Sequence, residues 1–170
     1  MAVVSSVKDA EALTLTFVAD FDADVEKVWQ VWQDPRLLER WWGPPTWPAT
    51  FDRYDFTVGG QAAYHMTGPD GEKSRGWWTI TAIDAPHRLA FDDGFADENG
   101  RPNPAMGTTR AVVTLEATGS GTRMTTTTTF EDVDQLEKMA EMGMEEGMRL
   151  AMEQIDALLK GDPRTDAATG

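Results

Sequence analysis

Two histidines, His65 and His87, are the side chains of this sequence that could in principle serve as a general base. Neither belongs to a zinc-binding pattern such as HExxH, and the sequence contains no cysteine, which excludes thiolate chemistry within it. It also contains no nucleophile elbow, phosphate-binding loop or dinucleotide fingerprint. The sequence therefore predicts no catalytic residue, no metal site and no cofactor.

A second group of residues is typical of binding rather than catalysis. Tryptophan combines a large apolar surface with one N–H donor, and methionine fills irregular space, so both are common in ligand pockets. Since side chains alternate along a strand, we expect only one of Trp77 and Trp78 to face a cavity. Packing in an ordinary core is the competing interpretation. The candidate cavity residues are Tyr64, Met66, Trp77, Trp78, Thr126, Thr128, Met144, Met148 and Met152.

The elements that would position these residues follow from the spacing of apolar side chains. Alternation around Leu15 and Phe17 predicts a first strand, and helical spacing around Trp29 predicts the first of two short helices. About six further strands occupy the middle of the chain, joined by turns such as the one at Gly68. Residues 133–160 then show helical periodicity, which predicts one uninterrupted helix about 40 Å long.

This order predicts an α+β protein: a curved antiparallel sheet of about six or seven strands around a long C-terminal helix, with two short helices after strand 1. The terminal helix is the one element large enough to cover a face of the sheet. We expect residues 1–10 to be a loose leader, 11–160 to be a single domain and 161–170 to be a disordered tail. The long polar segment 93–107 is interpreted as a mobile insertion, with a functional lid as the alternative.

Charge and hydropathy restrict the class of partner. The formal net charge is −14, from 29 acidic and 15 basic residues, and the basic residues are scattered. Nucleic-acid binding needs clustered Lys and Arg to displace counterions, so we expect no nucleic-acid partner. No apolar run approaches the roughly 20 residues that span a bilayer, and no signal segment opens the sequence, so we expect a cytoplasmic protein without membrane insertion.

Several segments resemble a known family. FDADVEKVWQVWQDPRLLERWWGPP, YDFTVGGQAAYHM, TGPDGE, APHRLAF and GTRMT together resemble the START-like (SRPBCC) helix-grip superfamily, in the branch named after the activator of the heat-shock-protein-90 ATPase. The resemblance covers roughly residues 12–160, and its most specific parts are the WWGP segment at 41–44 and the segment with Asp55 and Gly59-Gly60. It implies a container for lipids, hormones or polyketides between sheet and helix, with cyclases, dehydratases and a chaperone partner among the relatives.

The sequence leaves three functions open, and its features favour a binding protein over an enzyme. The first is binding of a small apolar or amphipathic molecule in a cavity between the sheet and the C-terminal helix. The second is a polyketide cyclase or hydrolase, which would need an acid–base pair facing the cavity. The third is a chaperone-associated or stress-response protein that acts through an exposed apolar patch. A homodimer is compatible with each of them.

Overall fold

The computed structural model describes residues 3–160, apart from the side chain of Met106. Eight strands form one sheet, and four α-helices lie with it. The elements in chain order are β1 (Val3–Asp9), β2 (Thr14–Phe21), α1 (Val25–Gln33), α2 (Pro35–Trp41), β3 (Ala49–Tyr54), β4 (Gln61–Thr67), β5 (Lys73–Asp84), β6 (Arg88–Ala96), a 3₁₀ turn (Pro104–Met106), β7 (Thr109–Ala117), β8 (Thr122–Thr129), α3 (Val133–Glu141) and α4 (Met144–Leu159).

The strands form a continuous antiparallel sheet in the order β1-β2-β8-β7-β6-β5-β4-β3. From β3 to β8 each strand pairs with the next in sequence, as the short turns predict. The connection through α1 and α2 carries the chain from β2 to the opposite edge at β3. The α+β helix-grip fold predicted from the sequence is confirmed, with eight strands instead of six or seven.

Local sequence explains where the helices begin. The Asp24 side chain accepts a hydrogen bond from the backbone N–H of Lys27 at the start of α1. Asp34 does the same for Arg36 at the start of α2, where Pro35 occupies the first turn. Such caps satisfy backbone donors that the helix itself leaves without partners.

One end of the inner face of the sheet is filled by aromatic side chains. Trp32 of α1 is fully buried, and its ring lies 4.7 Å from Trp41 and 6.2 Å from Phe91 between centroids. Trp78 of β5 stacks on Phe91 at 4.0 Å and meets Trp42 edge-on at 4.8 Å. Edge-to-face and offset-stacked contacts of this kind add to the burial of apolar area. The two short helices therefore fill one end of the sheet with a solid aromatic core.

The N-terminal prediction was wrong where the structure describes it. Residues 3–9 form strand β1, which pairs with β2, and the backbone N–H of Val3 donates to the carboxylate of Glu153 at 2.9 Å. All of β1 except Val3 is exposed, so the sequence has no alternation of buried apolar residues that would predict this strand. Backbone pairing at a sheet edge, which needs no particular side chains, explains the strand. Residues 161–170, predicted to be a disordered tail, lie outside the described residues.

The segment 93–107 is not a long insertion. Strand β6 continues to Ala96, and the backbone N–H of Asn103 donates to the carbonyl of Phe95 at 2.8 Å. Between them the Asp97 carboxylate accepts bonds from the backbone N–H groups of Asn99 and Arg101. These bonds fold the segment back on the strand that it leaves, and its first four residues belong to the sheet.

The C-terminal helix is interrupted. Gly143, between α3 and α4, has φ +82°, a left-handed conformation that a right-handed helix does not contain. Its N–H donates to the carbonyl of Ala140 at 3.0 Å and closes α3 as a tight turn. The apolar periodicity continues across the break, which is why the sequence predicted one helix. No helix among residues 3–160 is long and apolar enough to cross a membrane.

Gly143 and Gly147 offer a matched test of this break. Gly143→Ala should lower the free energy of unfolding by about 1 kcal/mol, because alanine is strained at positive φ. Gly147→Ala should raise it by roughly 0.5–1 kcal/mol, because Gly147 lies within α4 and an added Cβ meets no atom within 4 Å. Urea unfolding of the two variants measures both changes. Equal effects of the same sign would contradict an interrupted helix.

Candidate functional site

A cavity of about 220 Å³ lies between the inner face of the sheet and the C-terminal helices. Met142, just before the break at Gly143, lines it and is 56% exposed, so the cavity reaches solvent at that point. The lining residues are Trp32, Trp42, Pro44, Tyr64, Met66, Phe91, Asp93, Gly94, Phe95, Gly107, Thr109, Ala111, Thr126, Thr128, Met139, Met142, Met144, Gly147 and Met148. The walls are mainly aromatic and methionine side chains, with a few polar groups.

The structure brings six of the nine predicted site residues to this cavity. They come from the sheet and from the helix that covers it: Tyr64, Met66, Thr126, Thr128, Met144 and Met148. The pairing of β8 with β2 and β7 fixes its register and turns Thr126 and Thr128 inward, where both are buried. The one-residue slip that would have reversed this face does not occur.

Three predicted residues do not line the cavity. Trp78 faces inward but is fully buried behind Phe91, with which it stacks. Trp77 points to the other face of β5, where its indole packs over Gly94. Met152 of α4 is completely buried in the core. Trp78 thus supports the cavity wall from behind, and Trp77 lies on the outside of the sheet.

Among the lining residues that the sequence did not predict, Asp93 is the charged one. It lies on β6 between Trp78 of β5 and Thr109 of β7, and it lines the cavity. The Thr109 hydroxyl donates to the Asp93 carboxylate at 3.1 Å, and lies 3.4 Å from the Asp93 carbonyl oxygen. The alternation Leu89, Phe91, Asp93 could have revealed it, because Leu89 and Phe91 are both buried and the third member of the series faces the same way.

Its surroundings change the acidity of Asp93. Protein atoms crowd the carboxyl although the residue keeps an intermediate exposed fraction, as expected for a group on a cavity wall. Loss of hydration raises the pKa of Asp93 to about 7, against a partial lowering by the Thr109 hydrogen bond and a further rise from the Asp92 charge. A carboxyl of this kind changes its charge near neutral pH.

Tyr64 lies on the neighbouring part of the wall. Its pKa is raised strongly by burial and further by the negative charge of Asp93. The indole N–H groups of Trp42 and Trp78 lie close enough to offset part of that rise, but neither makes a hydrogen bond of good geometry to the hydroxyl. The Tyr64 ring also covers Gly76, where a Cβ would come within 2.4 Å of the hydroxyl oxygen. Tyr64 therefore stays neutral and is held in place by β5.

Polar atoms without partners mark the same region. The Nε1 atoms of Trp42 and Trp78 and the hydroxyl of Thr126 are buried and lack a hydrogen-bond partner among the described residues. Trp42 and Thr126 also line the cavity. An unpaired buried polar group costs roughly 1–3 kcal/mol, so such groups are few in folded proteins and call for an explanation.

Neither histidine belongs to this site. His65 lies on the outer face of β4, with Nδ1 3.0 Å from the Asp52 carboxylate, and Nδ1 of His87 lies 3.1 Å from the Leu115 carbonyl oxygen. His87 borders a depression of about 460 Å³ between the start of α1 and the β7–β8 turn, whose residues are mostly exposed and polar. Within residues 3–160 no three His, Asp or Glu side chains come together as metal ligands.

The raised pKa of Asp93 predicts a definite pH dependence of stability. The folded state favours the protonated form of Asp93. Its contribution to the free energy of unfolding is therefore greatest below its unfolded pKa of about 4, and it is lost as pH rises through about 7. Asp93→Asn should therefore unfold at higher urea than the natural protein at pH 8, with the difference shrinking towards pH 4 as roughly one carboxyl titrates.

Asp92→Asn is the control, because Asp92 is on the same strand but pairs with Arg110 at the surface. Its effect on the urea midpoint should be small. If Asp93→Asn destabilised the protein most at high pH, the carboxylate would be stabilised in the fold and the buried site as described here would be wrong.

Comparison with known proteins agrees with this architecture. Residues 22–160 match the family described as Activator of Hsp90 ATPase homolog 1-like protein. A protein from Arthrobacter aurescens, solved by solution NMR, is 64% identical, with a TM-score of 0.90 over 93% of this chain and 92% of that one. A crystal structure from Mycobacterium smegmatis is 46% identical, with a TM-score of 0.86 over 92% of this chain and 96% of that one. No curated protein matches the chain. With the match spanning most of its length, the chain belongs to the family of Activator of Hsp90 ATPase homolog 1-like proteins.

Proposed function

We propose that this protein binds a small apolar or amphipathic molecule in the cavity between the sheet and α3–α4. The observation that carries the proposal is the coincidence of an apolar wall with unpaired buried polar atoms. Aromatic and methionine side chains supply most of the lining, and two lining residues carry buried polar atoms, the Trp42 N–H and the Thr126 hydroxyl, that have no hydrogen-bond partner among residues 3–160. Apolar pockets with a few convergent polar groups are the usual form of small-molecule sites.

The size of the cavity restricts the ligand. Its volume of about 220 Å³ is below the roughly 300–1,000 Å³ of sites for drug-sized molecules. A steroid or a polyketide would not fit without movement of the walls. The natural ligand is therefore a small molecule, of the size of a single substituted ring, or the end of a longer one that leaves past Met142.

An acid–base enzyme is the second candidate, and Asp93 is the observation that favours it. A carboxyl with a pKa of about 7 on a cavity wall is suited to general acid or base catalysis. Binding is the better supported function, because Asp93 is the one carboxylate and no histidine is present among the described lining residues. The second group of an acid–base pair with Asp93 would have to come from the ligand itself or from Tyr64, whose raised pKa keeps it protonated.

A role through a protein surface has weaker support. The family description names an activator of the Hsp90 ATPase, which makes a chaperone contact a natural alternative. Such a contact would use an exposed apolar patch. The exposed large apolar residues are spread over β1, the β3–β4 loop, α3 and α4, and none of the seven tryptophans is exposed.

Gly147 provides a direct test by filling the cavity. It lines the cavity from α4, and a Cβ added there meets no atom within 4 Å, which leaves room for a side chain to start. Gly147→Leu should therefore fold normally but reduce binding of 2-phenylethanol, a neutral probe of suitable size, by at least about tenfold. Calorimetric titration measures the affinity, and native mass spectrometry of the purified proteins shows any molecule that copurifies.

Gly147→Ala is the matched control, because it makes the same helix-favouring change but occupies little of the cavity. Its affinity for the probe should stay close to that of the natural protein. A probe that bound the Gly147→Leu variant as tightly as the control would occupy some other site, and absence of binding to all three proteins would count against a ligand cavity.

A further inference from the structure

The charge on the cavity wall is unbalanced. Asp93 is the one charged residue among the described residues that line the cavity, which include no Lys, Arg or His. The Thr109 hydroxyl donates to one oxygen of its carboxylate, and the other oxygen has no hydrogen-bond partner among residues 3–160. A carboxylate in such surroundings is stabilised by an opposite charge that brings its own hydrogen-bond donors.

The same wall is rich in aromatic rings. Five aromatic side chains line the cavity: Trp32, Trp42, Tyr64, Phe91 and Phe95. An ammonium group close to the face of an aromatic ring is attracted by the ring quadrupole, and the attraction increases when water is excluded. An anion in the same position would meet the negative faces of the rings as well as Asp93.

Acceptors for an ammonium group are also available. Besides the second oxygen of Asp93, the buried Thr126 hydroxyl has no partner among residues 3–160, and Tyr64 is also a lining residue that carries a hydroxyl. A primary ammonium has three N–H donors and no acceptor. The donors of an ammonium group therefore match the acceptors of the cavity. A carboxylate or phosphate matches less well, because it accepts hydrogen bonds and is repelled by Asp93.

The electrostatic field of the whole protein also favours a cationic ligand. With a formal net charge of −14, the protein attracts cations from solution and repels anions. This long-range term is weakened by salt, whereas the contact with Asp93 inside the cavity is screened much less. The field would concentrate a cationic ligand near the opening at Met142, and the wall would then hold it.

From these observations we infer that the ligand of the cavity is a small organic amine, an apolar or aromatic body carrying a primary ammonium group that pairs with Asp93. This inference rests on the proposed binding function and specifies its chemical class. It excludes fatty acids and other anions as natural ligands. It also assigns Asp93 as the residue that determines specificity.

Three probes of nearly equal shape test the inference on the intact protein. They are 2-phenylethylamine, 2-phenylethanol and phenylacetate, which at about pH 8 are a cation, a neutral molecule and an anion. Calorimetric titration should give the amine an affinity at least about tenfold above the alcohol, with no detectable binding of the acid. Changes in the indole N–H signal of Trp42 in NMR spectra would place each bound probe in the cavity.

Two variants assign the selectivity to one side chain. Asp93→Asn keeps an acceptor for Thr109 but removes the charge, so the advantage of the amine over the alcohol should disappear while the alcohol still binds. Asp92→Asn, on the same strand and paired with Arg110 at the surface, should leave the selectivity intact. Each variant removes one negative charge, so long-range attraction alone would affect the two alike.

The outcomes distinguish failure of the amine inference from failure of the proposed binding function. Equal affinities for amine and alcohol, tightest binding of phenylacetate, or selectivity that survives Asp93→Asn would overturn the amine inference and leave a binding cavity. Selectivity lost equally in both variants would assign it to the overall field and would likewise overturn the role of Asp93. Failure of all three probes to bind would remove the proposed function and this inference together.

Discussion

The packing of Trp32 against the inner face of the sheet determines where this protein has a solid core and where it has space. Trp32 is fully buried, its N–H points to the sulfur of Met124 at 3.4 Å, and its ring touches those of Trp41, Trp42, Trp78 and Phe91. Aromatic groups of this size fill one end of the sheet completely. The remaining inner face, from Asp93 to Thr128, has to be covered by the C-terminal helices alone.

The break at Gly143 explains why that cover is incomplete. A single straight helix would carry its apolar stripe along one line, whereas α3 and α4 meet at an angle set by a left-handed residue. Met139 of α3, and Met144 and Met148 of α4, all line the cavity together with Met142 between the helices, so both helices contribute to its wall. Flexible methionine side chains on either side of a glycine can adapt to what lies beneath them.

Sequence patterns predicted the parts of this structure that depend on burial. Alternation placed Leu15 and Phe17 inward, and the strand order followed from short turns, because each hydrophobic period corresponds to one buried face. Strand β1 was missed because backbone pairing at an edge leaves no such pattern. The break at Gly143 was missed because the periodicity of the apolar residues runs through it, and a glycine by itself does not reveal a positive φ.

The candidate site was predictable only where its residues are apolar or lie within strands of known face. Tyr64, Thr126 and three of the methionines were predicted in this way. Trp78 and Met152 also face inward but lie deeper in the core, and the distance of a side chain from a cavity is not encoded in a linear pattern.

Asp93 was not predicted, for a different reason. A charged residue that follows a buried strand is usually the first residue of a loop, and the sequence was interpreted accordingly. Only the pairing with β5 and β7 shows that the strand continues past it.

A structural role for Asp93 does not account for its charge. The Thr109 hydroxyl bridges the carbonyl and the side chain of Asp93, and this contact helps to join β6 to β7. An asparagine oxygen would accept the same hydrogen bond without the loss of hydration that raises the pKa of the carboxyl. A purely structural residue at this position would thus be better neutral. The fold on its own disfavours the charged form of Asp93, and a cationic ligand of the kind inferred above would supply an interaction that favours it.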